Sequence, residues 1–113
     1  MSVEVQGGRR LLYEYSEKGK DWGEVFKKRP NDFEQINHAL GGYQTLAQYA
    51  RLRHVSRRRV GQVWHGRIRR SWPEIEAFIS WRREHTGYAA LFDDLVWLGK
   101  RSGANVTISD RKG

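Results

Sequence analysis

The sequence predicts a mostly α, single-domain protein, and three observations carry that prediction. Between Asn31 and Leu98 the apolar residues recur at three- and four-residue intervals, the period of one helix face. The periodic segments are bounded by residues that start and stop helices. Five Trp, five Tyr and four Phe supply core-forming bulk that a disordered chain with 30% charged residues would lack. At 113 residues and 38% apolar, the chain is long enough for one modest core. Three regions are expected: an N-terminal arm or β-hairpin over 1–30, a helical core over 31–70, and a helical extension over 71–113 that packs with the core.

The first region shows a two-residue period. Val3 and Val5 alternate with polar residues, Gly7-Gly8 offers a turn, and Leu11, Tyr13 and Tyr15 alternate again. This pattern predicts a short hairpin, with a flexible arm as the alternative. Trp22, Val25 and Phe26 are spaced to dock one helical turn on the core, and Arg29-Pro30 closes the segment.

The helical signals start at Asn31. Asn31 and Glu34 stand as N-cap and N3, and Phe33, Ile36 and Leu40 make one face. Gly41-Gly42 is expected to stop this helix, since glycine takes the left-handed C′ conformation without a Cβ penalty. A second helix is predicted from Thr45 to Leu52, with Leu46, Ala47 and Ala50 on one side. A third has Ser56 as N-cap, a Val55–Val60 hydrophobic staple, and Val60, Val63 and Trp64 inward; Gly66 is expected to end it. A fourth begins with the capping box Ser71-Trp72-Pro73-Glu74, proline falling in the first turn, and carries Ile75, Phe78 and Ile79 before Thr86-Gly87. A fifth, 88–98, holds Tyr88, Leu91, Phe92, Leu95 and Leu98, with Gly99 as its stop. Residues 104–109 are expected to form a last strand paired with the N-terminal hairpin.

Charge is the functional signal. The net charge is +8, and between Gln35 and Pro73 there is no Asp or Glu but eight arginines: Arg51, Arg53, Arg57, Arg58, Arg59, Arg67, Arg69 and Arg70. The rest of the chain has 13 basic and 13 acidic residues, so the whole excess lies in one third of the sequence. Such a patch points to a polyanion, with nucleic acid first and an anionic membrane second.

The stretch from Leu46 to His65 resembles a helix-turn-helix. Ala50 is the small residue where two helices cross, Val55 precedes the second helix, Ser56 caps it, and Val60 and Val63 anchor it. His54 stands where the turn commonly has glycine, and Arg53 where an apolar residue is usual. With the His65-Gly66-Arg67-Ile68 run that follows, the chain is similar to Cro-type repressors and to excisionase-like proteins, small regulators of phage or plasmid type. That resemblance implies a recognition helix over 56–65 in the major groove of double-stranded DNA. On a 100° wheel, Arg58, Gln62 and His65 lie opposite the inward residues, with Gly61 beside them and Ser56 and Arg57 at the N-terminal end. These six are the candidate base-reading residues: arginine pairs bidentately with guanine and glutamine with adenine. Arg51, Arg53, Arg59, Arg67, Arg69 and Arg70 are the candidate phosphate contacts, which orient without specifying.

Other classes are excluded or disfavoured. There is no cysteine, so disulfide frameworks and thiolate metal sites are out. His38, His54, His65 and His85 have no i, i+4 pair, and no metal or other cofactor is expected. Asp21, Glu24 and Lys27 loosely match a nuclease cluster but read better as a solvated turn, and no enzyme activity is expected. No run approaches a membrane span, the first ten residues have no apolar signal region, and a cytoplasmic location is expected. The expected role is transcriptional regulation. An adaptor or architectural factor of excisionase, small-terminase or polymerase-binding type is the alternative, with Trp97 as a protein-partner surface. An RNA-binding reading rests on Tyr13 and Tyr15 as stacking residues. A homodimer is expected, with the fifth helix supplying surplus apolar surface.

Overall fold

The computed structural model describes residues 3–19, 21–52 and 57–109; of 3–6 and 57–65 only the backbone is described. The elements are α1 (Val3–Glu17), α2 (Trp22–Lys28), α3 (Pro30–Arg51), α4 (Arg57–Thr86) and α5 (Asp93–Arg101). The mostly α class holds, and among the described residues there is no strand. No helix among them is long and apolar enough to cross a membrane. The chain divides into two compact units, Met1–Gly42 and Tyr43–Gly113. That boundary falls inside α3, away from residues 30 and 70 where the sequence suggested divisions.

In the first unit the expected hairpin is a helix. Gly8 and Leu12 are buried, four residues apart on one side of α1. The pair Gly7-Gly8 is not a turn. A Cβ at Gly8 would lie 2.2 Å from the Gln35 carbonyl oxygen and 2.6 Å from the Ala39 Cβ, so the missing side chain is what lets α1 meet α3. The alternation of Leu11, Tyr13 and Tyr15 fits a strand, but tertiary contact at Gly8 and Leu12 selects the helix. Asp21 caps α2 by accepting from the Gly23 N–H at 3.2 Å, and Trp22 and Val25 are buried as expected. Glu24 pairs with Lys28 at 2.9 Å on the exposed side. The three residues that loosely matched a nuclease cluster thus include a helix cap and one partner of a surface ion pair. Phe26 sets its ring edge on Phe33, with centroids 5.0 Å apart. α3 begins two residues earlier than the Asn31 cap implied. The Phe33 N–H bonds the Arg29 carbonyl at 3.0 Å, and Pro30 takes the first helical position, where its missing N–H costs little.

α3 also runs through its expected stop. Phe33, Ile36, Leu40, Tyr43, Ala47 and Ala50 are all buried, a stripe that continues unbroken past Gly41-Gly42. Each glycine costs a helix interior about 1 kcal/mol, less than burying one large side chain contributes. Two predicted helices are therefore one.

The second unit repeats this correction in α4. Ile68, Ser71, Trp72, Ile75, Phe78 and Ile79 are buried along one side, and the helix is continuous for 30 residues. Gly66 does not end it. Ser71, expected as a cap, is 3% exposed in mid-helix, and Pro73 is interior rather than in a first turn. An interior proline removes one backbone hydrogen bond and costs about 3 kcal/mol, which the buried stripe on both sides of it offsets. α5 starts later than expected. Residues 89–92 form turns, and Phe92, buried, holds the left-handed conformation at φ 61° that ends them. α5 also passes its expected stop: a Cβ at Gly99 would fall 2.6 Å from Cζ3 of Trp72, so this glycine is where α5 presses on α4.

The expected C-terminal strand is instead an extended segment tied to α4. The Glu76 carboxylate accepts from the Thr107 N–H and hydroxyl, both at 2.7 Å, and from Trp72 Nε1 at 3.1 Å. Arg83 donates to the Ser109 carbonyl at 2.7 Å and to the Leu91 carbonyl at 2.8 Å. With no partner strand among the described residues, the segment's donors find a carboxylate. Burial pushes the Glu76 carboxyl up, but the hydrogen bonds from Thr107, Trp72 and Ile108 together outweigh it and hold it below the ordinary glutamate range.

Two sets of measurements test this packing. Gly8→Ala and Gly99→Ala should each destabilise by about 1–3 kcal/mol, because backbone or an indole ring stands in the way. Gly41→Ala, where an added Cβ meets nothing within 4 Å, should stabilise by about 0.5–1 kcal/mol. Pro73→Ala should raise stability by up to about 3 kcal/mol if α4 is one helix, and Ser71→Ala should not behave as the loss of a cap. Denaturant titration reads all five. The Glu76 carboxyl is lowered by folding, so its contribution is complete above about pH 4.3 and fades as pH falls through the depressed value. The stability gap between wild type and Glu76→Gln should therefore shrink on acidification; a gap independent of pH overturns the assignment.

Candidate nucleic-acid interface

The site is built from the first half of α4 and the end of α3. Within α4, Arg57, Arg58, Arg59, Arg67, Arg69 and Arg70 precede the first acidic residue, Glu74. Arg67, Arg69 and Arg70 are exposed, alternating with buried Ile68 and leading into buried Ser71 and Trp72. The Arg70 Nε donates to the Gly66 carbonyl one turn back at 3.1 Å, which holds the side chain along the helix. A 14-residue basic segment at 1.5 Å per residue spans about 21 Å.

Continuity of α4 changes the register argument. Counting back from the whole buried stripe of Ile68, Ser71, Trp72, Ile75, Phe78 and Ile79 at 100° per residue, positions 59 and 66 fall opposite it. Positions 62 and 70 flank that line on either side, and positions 58 and 69 share one edge. The wheel drawn on Val60, Val63 and Trp64 alone put Arg58, Gln62 and His65 at the centre. Gln62 keeps its place near the centre in both, Arg59 moves in from the phosphate set, and His65 moves out. Arg69 and Arg70 are not an arm beyond a Gly66 stop; they are later turns of the same helix.

The remaining predicted residues divide clearly. Ser56 and Arg53, with the expected turn around His54 and Val55, lie outside the described residues. Arg57, Arg58, Arg59, Gly61, Gln62 and His65 are in the described backbone of α4, in register positions only. Arg51 has a structural role instead of a phosphate one. Its Nη1 lies 3.2 Å from Asp93 Oδ2 and 3.2 Å from Asp94 Oδ1, with the side chains 13–17% exposed. Its guanidinium also stands 5.5 Å from the centre of the Trp97 ring, and that of Arg101 stands 5.8 Å from it. Trp97, expected as a partner surface, is half-buried, with the two arginines of its own chain against its ring.

Sequence reasoning missed Asp93, Asp94 and Gln44. Gln44 donates to Asp94 Oδ2 at 3.0 Å and accepts the Leu95 N–H at 2.7 Å, satisfying a first-turn donor of α5 from another helix. Two acids at a helix start are legible as favourable to the helix dipole. Nothing in one sequence links them to an arginine more than 40 positions earlier.

Two further expectations are revised here. Tyr13 and Tyr15 belong to α1, and the Tyr15 hydroxyl donates to Asp32, which raises its pKa. The strand platform that RNA stacking called for is therefore absent among the described residues. Leu95, Val96 and Leu98 of α5 and Phe92 before it are buried within their own unit, while Tyr88 stays exposed. In the first unit a cleft of about 370 Å³ is lined by Tyr15, Lys18, Glu24, Val25, Lys28 and Arg29. Its cations are exposed and one of them is already paired with Glu24. Among the described residues no three His, Asp or Glu side chains converge on a metal position.

Comparison with protein-family models, with curated proteins and with solved structures finds no match.

Proposed function

We propose that this chain binds double-stranded DNA in a sequence-dependent way and acts as a small transcriptional regulator. The supporting observation is the basic half of α4: six arginines and no acid over Arg57 to Arg70, with Arg67, Arg69 and Arg70 exposed on a helix whose other side is buried. Phosphate neutralisation by such a surface supplies affinity, and a helix with arginine at register position 59 and glutamine at 62 carries the residue types that read guanine and adenine. α3 and the start of α4 serve as the two helices of a helix-turn-helix, with Gln62 and Arg59 central to the reading face, Arg58 at its edge, and Arg69 and Arg70 on phosphate. Two copies per duplex, on half-sites about 34 Å apart, complete the reading, since one such helix covers a half-site only.

Competition among duplex DNA, single-stranded DNA and RNA at one fixed salt concentration separates the nucleic-acid classes, with duplex DNA expected to win. Selection from random duplexes then yields the preferred sequence. Gln62→Ala and Arg59→Ala should weaken that duplex by about 1–3 kcal/mol more than random duplex. Arg69→Ala and Arg70→Ala should weaken both equally and flatten the log–log salt dependence by about 0.9 for each phosphate no longer neutralised. Salt-independent binding, or a sequence preference altered by Arg69→Ala and untouched by Gln62→Ala, overturns this assignment. Sedimentation with one chain per duplex overturns the two-copy part alone.

A further inference from the structure

We infer that Asp93 and Asp94 are positioning residues for DNA discrimination, acting through Arg51 on the geometry that leads into the basic helix; the inference rests on the DNA-binding reading above. Arg51 is the last residue of α3, and α4 with its arginine run begins at Arg57. Whatever fixes the end of α3 fixes where the chain sets out toward that run. Three ties act there. Both carboxylates hold the Arg51 guanidinium, each at 3.2 Å, and Gln44, two turns earlier, bonds both Asp94 and the Leu95 N–H. The Trp97 ring carries the guanidinium on its face. The participants are mostly buried, so the pairing is far less screened than a surface ion pair. The groups of α5 that tie it to the end of α3 come from its first five residues, Asp93 to Trp97, and α5 is itself seated on α4 by the close approach of Gly99 to Trp72. The two carboxylates thereby link the end of α3 to the helix that carries the arginines.

The charges make the test sharp because two accounts predict opposite signs. Removing an acid raises the net charge above +8, so simple electrostatics tightens binding to every duplex. A positioning role instead weakens the preferred duplex while random duplex is held or gained. Asp94→Asn is compared with Glu84→Gln, which makes the same charge change at an exposed position on α4. Arg51→Lys removes the planar fork at constant charge and serves where the Asn variant does not fold. Circular dichroism checks folding, and each variant is titrated on the selected duplex and on random duplex at one salt concentration.

In Asp94→Asn and Arg51→Lys the ratio of the two affinities should fall by about five- to tenfold, the worth of roughly one base contact. Random-duplex affinity should stay at the wild-type level for Arg51→Lys and match the Glu84→Gln value for Asp94→Asn. Glu84→Gln should leave the ratio unchanged. If both duplexes move by one common factor in Asp94→Asn and Arg51→Lys, the carboxylates anchor the fold only and the inference is overturned. A wild-type chain that binds duplex without any sequence preference overturns the DNA-reading assignment itself, and with it this role.

Discussion

The buried stripe of α4 is the constraint on which the second unit depends. Ile68, Trp72, Ile75, Phe78 and Ile79 are all withdrawn from water on one side of a single helix, and Trp72 takes its place against α5 only because Gly99 has no side chain. Burial of five large side chains outweighs an interior proline and an interior glycine, so α4 stays continuous through both. Continuity in turn makes the arginines on either side of Gly66 parts of one rod with one register. The proposed function changes with it: the residues proposed to hold and to read DNA are successive turns of the same helix.

A second consequence concerns which charges are available. In the sequence, the eight arginines face no acid for 39 residues. In space, Asp93 and Asp94 reach one of them, Arg51, and convert a candidate phosphate contact into a fixed corner of the fold. A buried guanidinium with two carboxylates and an aromatic face is a specifying device as much as a stabilising one, because it tolerates one arrangement of its partners. The same logic appears on a smaller scale at Glu76, whose carboxylate collects four donors and so fastens the extended C-terminal segment to α4.

What was legible in the sequence was the existence and type of the central helices and the identity of their inward residues. Phe33, Ile36, Leu40, Ala47, Ala50, Ile75, Phe78, Ile79, Leu95 and Leu98 follow from spacing alone, and each is buried. The basic character of the stretch before Glu74 also follows from composition. The period of 3.6 is a property of the backbone, so any chain that satisfies it over several turns announces its own core face.

Helix ends and glycine roles needed the tertiary structure. Gly7-Gly8, Gly41-Gly42, Gly66 and Gly99 all read locally as turns or stops, since glycine tolerates the conformations that end helices. Here Gly8 and Gly99 are points of close approach, and the others are carried through by the stripes around them. The choice depends on what lies across the interface, a Gln35 carbonyl or a Trp72 ring, and that is information about a distant part of the chain. The same holds for Asp93 and Asp94, whose partner Arg51 is distant in sequence and adjacent in space. The sequence by itself determined that the chain is helical, where its core faces lie and where its positive charge is concentrated. Only the packing decided how long each helix runs, and so which arginines share one register and which one is withdrawn into the fold.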